Sequence, residues 1–150
     1  MKVFEGLDQV EAAIGRHVGY SDWLEITQER IDAFAEATGD HQWIHVDPER
    51  AATGPYGATI AHGYLTLSLL PVLGAQVMEI RGFRMMINYG TDKVRFPAAV
   101  PVGSRIRAGI ELTSLDRKSS GVQLNTLVTV EVEGGDRPAV VAETVRMMVE

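Results

Sequence analysis

Residues 62–79 read HGYLTLSLLPVLGAQVME. Tyr64, Leu65, Leu67, Leu69, Leu70, Val72, Leu73, Val77 and Met78 place apolar groups on nearly every side of a helix over this stretch. Such a helix is expected to be buried all round. Pro71 is expected to kink it, because proline lacks the N–H that the preceding turn needs and its ring crowds that turn. Thr66, Ser68, Pro71, Gly74 and Gln76 interrupt the stretch, which is also too short to cross a bilayer.

What covers this helix is legible downstream, where the period changes from helical to two. Ile106, Ala108, Ile110 and Leu112 alternate with Arg105, Arg107, Gly109 and Glu111. Val122, Leu124, Thr126, Val128, Val130 and Val132 share one face of a second strand, and 140–149 and 85–96 read as two more. Turns such as Gly134-Gly135-Asp136 favour antiparallel hairpins. One apolar helix and one sheet with a single apolar face imply an α+β fold, in which the sheet curls around the helix. A helix needing more cover than one small sheet provides points to a partner subunit.

Upstream, the pattern is helix and loop. A short helix is expected over 8–14 with Asp8 as its N-cap. Thr27 is a suitable N-cap for a helix over 28–38, whose apolar stripe is Ile31, Phe34, Ala35 and Thr38, and Gly39 is its left-handed stop. Asp47-Pro48 starts another short helix, and 53–59 forms a loop.

The 150 residues, with 45% hydrophobic, suit one domain spanning 1–150. A net charge of −6 argues against a nucleic-acid partner. The absence of cysteine removes disulfides, thiolate nucleophiles and Cys-based zinc sites. The first residues carry acids and no apolar h-region, so no secretory signal is read there. The expected setting is cytoplasmic, with no membrane span.

The chemistry concentrates in FAEATGDHQWIH, residues 34–45. Asp40 and His45 follow the helix stop, five positions apart, and together can hold one water and exchange protons with it. The same two residues also suit a helix-end cap and a core histidine. His41 and His45 stand at i, i+4, but the Gly39 stop and the lack of an H-E-x-x-H motif argue against a metal site. Gly63 opens the apolar helix, where free N–H groups and the helix dipole can receive a developing oxyanion and glycine permits close approach. On local sequence alone, a glycine required by tight packing or an unusual turn is the favoured explanation of position 63. Lys93, Arg95, Arg105 and Arg107 make the strand region locally basic, which suits either phosphates or a solvated face. No Gly-rich nucleotide motif is present.

These segments resemble a known family. FAEATGDHQWIHVDPERAA at 34–52, IAHGYLTLSLLP at 60–71, INYGTDKVRFPAAVPVGSRIR at 87–107 and VAETVRMMV at 141–149 are similar to the MaoC-like, (R)-specific enoyl-CoA hydratases. The closest likeness is to the small nodulation protein N-like members. Gly39-Asp40, Ile44, His45 and Ala51 match the family's hydratase motif, whereas Gln42 and Trp43 replace its Asn-Pro. The resemblance implies a hot-dog fold, with a long central helix wrapped by a curved antiparallel sheet, working as a homodimer. It implies reversible syn hydration of a trans-2-enoyl-CoA to an (R)-3-hydroxyacyl-CoA, without cofactor or metal. Asp40 and His45 would be catalytic, the Gly63 N–H would form the oxyanion hole, and Gln42, Trp43 and His62 would contact the acyl-CoA thioester. A hot-dog thioesterase, an acyl-carrier-protein dehydratase and a non-catalytic acyl-thioester-binding subunit are the alternative readings.

Overall fold

A computed structural model describes residues 1–149. In chain order the elements are β1 (Lys2–Glu5), α1 (Leu7–Glu11), β2 (His17–Tyr20), β3 (Leu24–Glu25), α2 (Gln28–Thr38), α3 (Trp43–Val46), α4 (Pro48–Ala52), α5 (Gly63–Ser68), α6 (Leu70–Val77), β4 (Met78–Arg81), β5 (Met85–Arg95), β6 (Arg105–Lys118), β7 (Gly121–Val132) and β8 (Val140–Val149). Six strands form the main sheet, in the order β2-β6-β7-β8-β5, with β3 also on β6. All its pairings are antiparallel. β1 and β4 form a separate parallel pair. Register shifts in β5, β6 and β2 bend the ladders, as bulges do. This is the hot-dog arrangement.

The core lies between the inner face of the sheet and α5–α6. Ile106, Ala108, Ile110 and Leu112 of β6 and Leu124, Val128 and Val130 of β7 are buried against Leu65, Leu70, Leu73 and Val77. Thr126 and Thr144, paired across β7 and β8, stay in this apolar layer because their hydroxyls bond each other at 2.6 Å.

Local chemistry sets the helix boundaries. Thr27 Oγ1 accepts the Arg30 N–H, and Gly39 closes α2 with φ 79°. Asp47 Oδ1 accepts the Arg50 N–H and Pro48 fills the first position of α4. Three expectations need correction. Gly6, not Asp8, is the N-cap of α1, and the helix ends at Glu11. The helix expected over 62–79 is two segments joined at Leu69, and Met78 already belongs to β4. Pro71 falls in the first turn of α6, where its missing N–H disturbs the ladder least. Nor are these helices buried all round, since Tyr64 is 71% exposed and Val72 51%.

Candidate active site

α2, α3 and the start of α5 converge on one cluster. Gly39 ends α2 and throws Asp40 into extended backbone, while the single turn α3 carries His45 inward. His45 is 6% exposed and His62 is 3% exposed, while Asp40 lies at the surface. One ligand-type atom from each of the three lies within 4.8 Å of the others.

The hydrogen bonds assign the imidazole protons. His45 Nδ1 lies 2.7 Å from the Ile60 carbonyl, which can only accept, so Nδ1 carries the proton and Nε2 keeps its lone pair. Desolvation pushes the His45 pKa below its ordinary value, and His62 lowers it further, against the Ile60 bond and Asp40, which raise it. A neutral ring with Nε2 free as an acceptor results. His62 Nε2–H donates to the Asp40 backbone carbonyl at 3.0 Å and lies 4.0 Å from Oδ2, too far for a second bond. The two imidazoles stack at 3.8 Å with a 23° tilt, and Phe34 packs on His62 at 4.9 Å. His62 Nδ1 is buried without a partner among the described residues.

Each ring therefore has one nitrogen engaged by a carbonyl. His41 turns away to Glu36, at 2.7 Å on the surface, so the i, i+4 histidine pair does not form.

Gly63 is the first residue of α5, so its N–H has no partner within the helix. A Cβ at this position would lie 3.0 Å from the Phe96 ring, so packing alone favours glycine unless that ring shifts. Gln42 is the N-cap of α3, exposed, and its N–H reaches Asp40 Oδ1 at 3.3 Å. Trp43 is half-buried. Its ring packs against Gly54 and under the Arg50 guanidinium, 4.3 Å away. Both residues hold the loop that carries the dyad, and neither lines the main cavity.

That cavity, of about 1080 Å³, runs between α5–α6 and strands β5 and β8. Phe34, which packs on His62, lines it together with Thr38 and Tyr64, whereas Asp40, His45 and Gly63 do not. A second, more polar cavity lies beyond Tyr64 and Phe96 and holds Lys93 and Arg95. Arg105 and Arg107 are taken up by Glu133 and Glu131 on the neighbouring strand, which fits a solvated face.

Gln28 was not legible as a site residue. Its amide donates to the His45 carbonyl at 2.8 Å, and its Oε1 accepts from Thr59, so it ties α3 to the segment that precedes Ile60. Its partners lie 17 and 31 positions away, and no local pattern marks such a residue.

Comparison with known proteins supports the fold. Residues 9–134 match the family model described as MaoC like domain. A 3-hydroxyacyl-thioester dehydratase Z from Mycobacterium tuberculosis is 56% identical over 97% of this chain and 97% of its own length. Nodulation protein N from Rhizobium leguminosarum bv. viciae is 45% identical over 95% of this chain and 90% of its own. Among solved structures, an (R)-hydratase from A. caviae involved in PHA biosynthesis superposes with a TM-score of 0.73 at 26% identity, over 89% of this chain and 95% of that one.

Proposed function

The chain belongs to the MaoC-like domain family, whose relatives here are named dehydratases and hydratases, and from that membership we propose that it is an (R)-specific enoyl-CoA hydratase. The reaction is the reversible syn addition of water to a trans-2-enoyl-CoA, giving an (R)-3-hydroxyacyl-CoA.

The observation that carries this reading is the tautomer of His45. Its Nδ1 is committed to the Ile60 carbonyl, which leaves Nε2 as the acceptor of a ring that lies close to the Asp40 carboxylate. Those are two acceptors for the two hydrogens of one water. As the water oxygen bonds to C3, the dyad takes one of its protons and delivers that proton to C2 on the same face. The C2–C3 π pair moves toward the thioester carbonyl. The enolate-like oxygen meets the Gly63 N–H at the start of α5, where the helix dipole adds positive potential. Burial keeps His45 neutral and so able to accept. His62 holds Asp40 by its backbone and supports the His45 ring from one face.

The acyl chain lies in the apolar cavity along α5–α6. The coenzyme phosphates lie toward Lys93 and Arg95, the basic residues of the second cavity, which Asp92 and Glu143 also line. The working unit is a homodimer. It covers Tyr64, Val72 and the apolar side chains of edge strand β5, including Met86, Ile87 and Tyr89, which one copy leaves open.

The test follows the enoyl-thioester absorbance with crotonyl-CoA and a longer trans-2-enoyl-CoA. Loss of the band with (R)-3-hydroxyacyl-CoA formed and no free thiol supports the reading. Release of free CoA would make the protein a thioesterase. Turnover only of acyl-carrier-protein thioesters would move the assignment to a carrier-protein dehydratase, and binding without turnover would leave a non-catalytic role.

A further inference from the structure

Arg146, on β8, is the sole arginine or lysine among the described residues lining the large cavity, and Glu79 is the sole acid. Glu79 is already held by Arg81 at 2.9 Å. Arg146 has no hydrogen bond or ion pair to a described residue, and burial is the only influence on its pKa, which it lowers. Some of the other arginines are paired instead. Arg81, Arg105 and Arg107 each grip a carboxylate within 2.9 Å. A guanidinium remains charged in proteins and is costly to leave partly desolvated without an acceptor.

The helix makes room for it. Gly74 of α6 faces the guanidinium, and a Cβ there would sit 3.3 Å from Nη2. Glycine inside a helix is less favourable than alanine, so a space left here has a standing cost. Around Arg146 the cavity is mostly apolar, with Leu67, Leu70, Met86 and Ile87 on its walls. One end starts beside Phe34, which touches His62, and Arg146 lies within the same continuous space.

We propose that Arg146 is a specificity residue that receives an anionic terminal group on the acyl chain, so that the preferred substrates are thioesters of dicarboxylic acids with a free carboxylate at the far end. The inference rests on the acyl-thioester reading given above. An apolar channel holding a single fork-shaped cation matches an aliphatic chain ending in one carboxylate, which a guanidinium grips with two parallel bonds. A phosphate-rich coenzyme tail would call for several cations, and the cavity with Lys93 and Arg95 suits it better.

The test uses two readouts on the full-length protein. Calorimetry compares saturated monoacyl-CoA thioesters with their ω-carboxy counterparts over chain lengths from C4 to C12. Saturated chains cannot be hydrated, so binding is read whether or not the protein is a hydratase. In parallel, kcat/KM is measured for trans-2-enoyl-CoAs with and without the terminal carboxylate. The wild type should prefer the carboxylate by roughly ten- to hundredfold at the matching length. Arg146→Met should erase that preference while leaving the plain chains bound as well or better, and Arg146→Lys should keep part of it. No carboxylate preference at any length overturns the proposal. So does an Arg146→Met protein that loses its oligomeric state by sedimentation but keeps its ligand preference, because the guanidinium then serves a second copy. Arg146-dependent binding without turnover of any enoyl thioester would leave this inference standing and remove the hydratase reading instead.

Discussion

β7 and β5 are both strands of apolar and polar residues, yet they end in opposite environments. β7 lies between β6 and β8 and buries Val122, Leu124, Thr126, Val128 and Val130 against the helices. β5 is the edge strand beside β8, and Met85, Met86, Ile87 and Tyr89 face outward, the last at 70% exposure. The difference is position in the sheet rather than composition. A central strand has two neighbours and a helix to satisfy it, whereas an edge strand has an open ladder and needs another surface. Stability should therefore reside around β7. The groove bounded by β5, α5 and α6 should serve substrate and a second subunit.

The sharpest way to break this division is at the dyad. Asp40→Asn should lower hydratase kcat/KM by about 100- to 10,000-fold with little change in melting temperature, because Asp40 is exposed and off the core. A variant that melts early but turns over normally would place Asp40 in the fold instead. The converse substitution, Leu124→Ala in β7, should cost about 2–5 kcal/mol in denaturant unfolding, since Leu124 is fully buried. A cost near zero would show that the sheet relaxes around the gap. Tyr89→Lys on β5 should leave the fold intact by circular dichroism yet shift the sedimenting species toward monomer. An unchanged sedimentation profile would mean that the dimer forms elsewhere.

A smaller effect concerns pH. The folded pKa of His45 lies below the ordinary 6.5, so the unfolded chain takes up this proton first as pH falls. Its contribution to stability is complete above about 6.5 and is lost as pH drops toward the folded value. Activity that needs the neutral ring should hold level down to the same region and fall below it. Melting scans of the wild type and His45→Gln across pH 5–8 should differ in slope only on the acid side. Identical slopes would mean that the ring titrates in the fold as it does in water.

Much of the fold was legible because its causes are local. Thr27, Gly39 and Asp47-Pro48 cap their helices with atoms a few residues away. The alternation at 105–112 and 121–132 states which face is buried. The dyad was legible for a similar reason, since Gly39 and the short spacing from Asp40 to His45 carry a motif. Asp8 was misread because a good capping residue does not act as a cap when the chain turns one step earlier, at Gly6. The 62–79 stretch was misread as a single buried helix because hydropathy measures which residues tolerate burial, not whether one copy of the chain supplies the cover.

The sequence by itself determined helices α2 and α4, the long strands β5 to β8, the inward face of the sheet and the candidates Asp40 and His45, all through contacts near in the chain or through a repeating period. Only the tertiary structure decided the rest. It placed Ile60 against Nδ1 of His45 and so set the tautomer, and it stacked His62 on that ring. It also tied α3 in place with Gln28 and left Arg146 alone in an apolar cavity. Those outcomes depend on groups brought together from distant parts of the chain, where desolvation and geometry act and no spacing in the sequence records them.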